Sequence, residues 1–163
     1  MSLNYIHFSR WSLLLALSAG FGTASLAGDS LPAEVSELRA AWDEANFVLQ
    51  GDTQKKTILE LVERCTPLLE KLPEDQSALT WCGIVKSSYA GAKGGLGALG
   101  LAKAAKAEFE TAMKIDAEAL DSSAYTSLGI LYHSVPGWPI AFGDSKKAEK
   151  LLLTGVENNP TGI

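Results

Sequence analysis

Histidine is almost missing from this chain: two occur among 163 residues, His7 and His133. Beyond the N-terminal segment only His133 remains, which excludes a two-His metal motif and most imidazole-based acid–base dyads. His133 follows Leu131-Tyr132 and reads as a structural residue near a helix end. Cysteine is equally scarce. Cys65 and Cys82 neither adjoin a histidine nor form C-x-x-C, and no G-x-S-x-G stretch offers a serine nucleophile. Long basic runs are missing too, since none exceeds Lys55-Lys56 or Lys146-Lys147. With 19 acidic residues against 14 basic ones and a net charge of −5, the chain repels nucleic acid. Carboxylate neighbours such as Asp43-Glu44 and Glu74-Asp75 fall where a solvated helix face or turn accounts for them. These absences leave no candidate catalytic residues, no metal ligands and no cofactor, so a non-enzymatic role is expected.

Apolar residues make up 47% of the chain and charged residues 20%, a balance that suits one globular domain with a sizeable core. The N-terminus has the pattern of an export signal. His7 and Arg10 precede the uncharged stretch WSLLLALSA, and Ser25-Leu26-Ala27 supplies small residues for cleavage after Ala27. Residues 1–27 are therefore read as a signal peptide and 28–163 as the mature, periplasmic domain. An uncleaved anchor is the other reading, weakened by Gly20, Gly22, Thr23 and Ser25 in the second half of the apolar stretch. Lipidation is not expected, because Asp29 stands where a lipoprotein signal would need cysteine. In an oxidising compartment Cys65 and Cys82, on opposite sides of the Pro73–Gln76 turn, could form a disulfide or stay as two separately buried thiols.

Few β-branched runs occur, and apolar residues instead recur at three and four. Residues 34–49 place Val35, Leu38, Ala41, Trp42, Ala45 and Leu49 on one helical face, with a stop expected at Gly51-Asp52. A second pattern spans 57–72 and contains Pro67, which should kink or split it. Further helices are expected over 76–89, 101–115, 122–134 and 146–157. The fold class is accordingly all-α, built of helical hairpins.

Gly95, Gly97 and Gly100 spell G-x-G-x-x-G, the fingerprint of a dinucleotide site. That fingerprint needs a strand before it and a helix after it, within a βαβ unit. Here the preceding LTWCGIVKSSY segment fits a helix, and no Lys-Ser/Thr pair follows to make a P-loop. The glycines read as a turn between helices.

Self-similarity is more informative. The segment YTSLGILY (125–132) matches the W-x2-L-G-x2-Y face of a tetratricopeptide repeat with Tyr replacing Trp, and Ala148-x3-Leu152 with Pro160 supplies a second helix and its stop. An upstream copy places Leu79, Cys82-Gly83 and Lys86 in the first helix and Ala105, Phe109 and Ala112 in the second. The offsets between copies are 46 residues (Gly83 to Gly129) and 43 (Phe109 to Leu152), longer than the roughly 34-residue standard period. The surplus lies at the hairpin tips, in residues 90–101 and 135–144. Small residues at Gly83, Gly129, Ala105 and Ala112 should let paired helices approach, with Phe109, Tyr132 and Leu152 filling the grooves. Trp42 and Trp81 lie within helical apolar patterns and are assigned to the core.

On the segments GAKGGLGALGL (91–101) and SLGILYHSVPGWPIAFGD (127–144), the chain resembles exported bacterial tetratricopeptide-repeat (TPR) proteins related to the T-component-like proteins of TRAP-type solute transporters. The resemblance spans about residues 78–163. It implies a TPR-like helical-hairpin solenoid with enlarged glycine-rich and Pro/Trp-rich loops, without known catalytic residues. The domain is divided into a divergent hairpin at about 34–72 and repeats at 76–117 and 122–160. Members of that family continue past an NPxGID segment into another helix, so the chain is expected to be C-terminally truncated.

Both tips are unusually apolar, and in a solenoid successive tips share one edge. Tyr89, Lys93, Gly94, Gly95, Leu96, Tyr132, Trp138, Pro139 and Phe142 are the candidate binding residues, with Trp138 as anchor. The other reading is that the loops pack on each other and close the core. The expected role is a non-catalytic scaffold for a protein or peptide partner. The alternative, implied by the resemblance, is an accessory subunit of a TRAP-type system that binds a small hydrophobic ligand beside transporter components. Membrane contact is not expected apart from the signal segment, given the negative charge and the single cation, Lys93, in the first loop. Oligomerisation stays open.

Overall fold

The computed structural model describes residues 31–161. The expected signal peptide, with cleavage after Ala27, falls outside the described residues. Six α-helices follow in order: α1 (Ala33–Phe47), α2 (Gly51–Lys71), α3 (Gln76–Lys93), α4 (Leu99–Ile115), α5 (Ala119–Ser134) and α6 (Ser145–Asn158), with a single 3₁₀ turn at Leu96–Ala98 before α4. Among the described residues there is no strand, and no helix is long and apolar enough to cross a membrane. The chain is all-α.

Local chemistry sets several of the boundaries. Asp75 begins α3 by accepting the Ala78 amide at 2.8 Å, and Asp144 begins α6 by accepting the amides of Lys146 and Lys147 at 3.0 Å each. At the other end of α3, Gly94 and Gly95 both take φ near +64°, a left-handed conformation that glycine adopts without steric cost. The helix stops there, and the chain turns toward α4.

Consecutive helices form antiparallel hairpins, as α5 and α6 illustrate. Gly155 meets Thr126, Leu152 and Ala148 meet Gly129, and Lys147 reaches Tyr132, so numbers rise on one helix as they fall on the other. Contacts also run from α2 to α3 and from α4 to α5, while α1, α3 and α5 touch in sequence. The close approaches expected at Gly83 and Gly129 are present. A β-carbon at Gly83 would lie 2.6 Å from Phe109 Cε1, and one at Gly129 would lie 2.8 Å from Leu152 Cγ. Two apolar clusters result, one joining α1, α2 and α3, the other α3 to α6, with Leu69 and Leu101 packed against both.

Three expectations are corrected. Gly51-Asp52 does not simply stop α1 but opens α2, which starts six residues before the expected Thr57. Pro67 does not split α2: it sits on the exposed side, where the carbonyl it cannot partner, that of Glu63, belongs to an exposed residue and can bond water. Residues 90–93, expected in the glycine loop, extend α3. Cys65 and Cys82 are free, buried thiols on facing helices, with Cys82 Sγ 3.9 Å from the Cys65 carbonyl oxygen, so the disulfide is not formed here. The hydrogen bond from its neighbour's side, and then burial, push the Cys82 thiol far above the usual range.

Candidate binding site at the hairpin tips

The first tip is short. After Gly94-Gly95 the 3₁₀ turn closes with the Ala98 amide on the Gly95 carbonyl at 3.2 Å, burying Ala98 and leaving Leu96 75% exposed. Lys93 folds its aliphatic stem back along the turn, with Cε 3.5 Å from where a Gly97 β-carbon would stand.

The second tip, Val135 to Gly143, bonds to itself. Gly143 donates to the Pro136 carbonyl at 2.9 Å, Ile140 and Ala141 both donate to the Gly137 carbonyl, and Asp144 returns to the Tyr132 carbonyl at 3.1 Å. These bonds close the loop on its own backbone. The Trp138-Pro139 peptide is cis, and Trp138 is 90% exposed.

The two tips are neighbours. Between them opens a cavity of about 640 Å³, lined from α3, the first tip and the start of α4 by Ser87, Ser88, Ala90, Gly91, Gly94, Gly95, Leu96, Ala98, Leu99 and Ala102. Ser127, Ile130, Leu131, Ser134, Val135, Pro136 and Ile140 line it from α5 and the second tip. The volume falls within the range of about 300–1,000 Å³ typical of small-molecule sites. The lining contains no ionisable side chain. Its polar groups are hydroxyls, and several have committed their protons: Ser87 donates to the Ile84 carbonyl at 2.9 Å, Ser88 to the same carbonyl at 2.8 Å, and Ser134 to the Ile130 carbonyl at 2.8 Å. Ser88 also accepts Trp42 Nε1 at 3.0 Å.

Of the residues singled out from the sequence, Gly94, Gly95 and Leu96 line this cavity. Tyr89 and Tyr132 do not: both are buried in the core, where Tyr132 meets the half-buried Phe142 ring edge-on at 5.4 Å between centroids. Lys147 holds the Tyr132 hydroxyl at 2.6 Å. Trp138 and Pro139 project from the second tip outside the lining, and Lys93 stays at the surface of the first. The four serines were not anticipated. Ser127, Ile130, Leu131 and Ser134 form a helical stripe at three, four and seven, a spacing legible in the sequence but there absorbed into the repeat pattern.

Elsewhere, His133 is exposed beside a shallower groove of about 300 Å³ on α6, with Leu152, Leu153 and Val156. Between α3 and α4, Lys86 and Glu108 form an ion pair that is nearly buried, and burial raises the Glu108 carboxyl above its ordinary value. Among the described residues no cluster of three or more His, Cys, Asp or Glu side chains could hold a metal ion. No family model and no curated protein matches the chain.

Proposed function

We propose that this chain is an exported, periplasmic, non-catalytic binding protein of TPR-like construction, with the cavity between its two hairpin tips as the recognition site for an apolar ligand. The observation that carries the reading is the cavity itself, apolar, uncharged and built jointly by the two segments whose composition is least suited to solvent. The TPR-like reading draws support from the sequential contact of α1, α3 and α5 and from the 43- to 46-residue offset between copies. In this role the protein serves as the ligand-holding accessory of a solute transport system, with transporter components as its partners.

A fluorescence titration tests it. N-phenyl-1-naphthylamine, a neutral apolar fluorophore, should brighten on binding the wild-type chain. It should brighten less with Gly91→Phe, because Gly91 belongs to the lining and a β-carbon there meets nothing within 4 Å, so the ring adds bulk at the cavity wall without overlapping its neighbours. Equal brightening with both proteins would reject the cavity as the site.

A second reading is favoured by Trp138, which stands exposed beside Ile140 and contributes nothing to the core. In this reading the tips form a scaffold surface for a protein or peptide, anchored by the indole. Loss of capture of a defined envelope partner by Trp138→Ala at unchanged melting temperature supports it, and unchanged capture sinks it.

A further inference from the structure

The chemistry of the cavity wall restricts the ligand further, and the restriction rests on the reading of the cavity as a ligand site. We infer that the tip cavity selects an uncharged amphiphile, an alkyl or ring body carrying a hydroxyl or primary amide head, over the carboxylate or ammonium of the same length.

Two observations carry this. The first is the absence of charge from the lining, with Ala90, Ala98, Leu99, Ala102, Ile130 and Leu131 forming the floor and walls. An ion settling against this lining gives up part of its hydration without meeting a counter-charge, which costs more than placing there a neutral group that keeps its hydrogen bonds. The second is the state of the hydroxyls at Ser87 and Ser134, Ser127 being the lining serine whose proton is not given to a protein acceptor. Ser87 and Ser134 have already donated their protons to the Ile84 and Ile130 carbonyls, so each turns only lone pairs toward a ligand. Those lone pairs repel a carboxylate, which has only lone pairs to offer. An alcohol or primary amide supplies the missing proton. An ammonium supplies protons as well, but its charge stays uncompensated. Ser134 and Ser87 come from α5 and α3, so each wall offers an acceptor to a donor head whose apolar body runs along the alanines and leucines. Lys93 is the nearest cation of the first tip, yet its stem lies along Gly97 and it does not join the lining.

The experiment is a displacement series on the full chain at about pH 8, where a fatty acid and an alkylamine are both ionised. Bound N-phenyl-1-naphthylamine is competed with 1-decanol, decanamide, sodium decanoate and decylammonium, each below its micelle concentration. Decanol and decanamide should displace the probe at concentrations about tenfold or more below those of the two ions. Ser134→Lys, at an exposed helix end where a long side chain is accommodated, should reverse the order for decanoate by supplying the missing counter-charge. Lys93→Ala should leave the order unchanged. Decanoate or decylammonium displacing the wild-type probe as well as decanol would overturn the inference while leaving the cavity as a ligand site; for decanoate, it would mean that the Ser127 hydroxyl or backbone amides of the 94–98 turn act as donors. A probe that fails to bind, or that binds Gly91→Phe equally, would remove the ligand reading and the inference with it.

Discussion

Gly143 shows how much of the site hangs on single atoms. A β-carbon there would stand 1.8 Å from the Val135 carbonyl oxygen and 2.8 Å from its carbon, both backbone atoms that cannot swing aside. Gly143→Ala must therefore pry apart the loop that turns Val135, Pro136 and Ile140 into cavity wall. The expected cost is about 1–3 kcal/mol, read as a lower melting temperature together with weaker fluorophore binding. An unchanged melt would mean that the loop is not closed as described. The same loop explains why the apolar residues of the tip were legible in the sequence and their directions were not. Composition marks residues 135–143 as too apolar for an ordinary loop, but only the Gly143–Pro136 bond and its neighbours decide that Ile140 turns into the cavity while Trp138 turns out. Likewise Tyr89 and Tyr132 carry the aromatic signature of a contact surface and are core residues, because their helices turn them inward, Tyr89 into the cluster of α1 to α3 and Tyr132 against Lys147 of α6 and the inner side of the second tip at Phe142.

Helices were the most legible scale, since a repeat at three and four survives almost any context, whereas their ends depend on single capping contacts. Asp75 and Asp144 fix the starts of α3 and α6 by side-chain contacts, while the extra turns at the start of α2 and the end of α3 fall on residues that carry no apolar period. Pro67 is the instructive case: its consequence depends on which side of α2 faces water. Held in an intact helix it still lacks an amide donor, so Pro67→Ala should restore a hydrogen bond to the Glu63 carbonyl and stabilise the protein by about 1–3 kcal/mol, reduced by the gain in unfolded-chain freedom. Chemical denaturation measures this directly, and a destabilised variant would show that the proline ring packs on something. Between α3 and α4 the Lys86–Glu108 pair makes a different demand. Glu108 Oε2 is buried without a partner, so the pair is not fully satisfied. Glu108→Leu alone strands Lys86 and should lower stability by up to about 3 kcal/mol, whereas Lys86→Met with Glu108→Leu should recover it or exceed wild type. Because the folded carboxyl titrates above its unfolded value of 4.5, the fold favours the protonated form. Wild type should therefore lose stability relative to Glu108→Gln as pH climbs from 4.5 through the folded value, and a gap that stays flat from acid to neutral pH would contradict the burial.

Over the whole molecule, the question is whether the two apolar clusters act as one. α3 supplies Ala78, Cys82, Val85 and Tyr89 to the first and Leu79 and Ala90 to the second, and Leu69 and Leu101 pack against both, so no polar layer separates them. Phe109 probes that joint. It is fully buried on α4, its ring lies over Gly83 of α3, and the absent side chain at position 83 leaves nothing able to fill the space if the ring is removed. Phe109→Ala should therefore cost about 3–5 kcal/mol, toward the upper part of the range for a large-to-small core change. Its reach is the decisive readout. If α3 couples the clusters, hydrogen exchange in the variant should accelerate throughout α1 to α6, and the denaturation curve should remain a single transition. Acceleration confined to α3 through α6, with α1 and α2 still protected, would mean that the helices on either side of α3 open as separate units. The tip cavity then belongs to the less stable unit, because α3, α4 and α5 all contribute to its floor. A ligand held there would raise the stability of that unit alone, so the same exchange experiment repeated with bound decanol would show whether occupancy is felt at α1 or stops at α3.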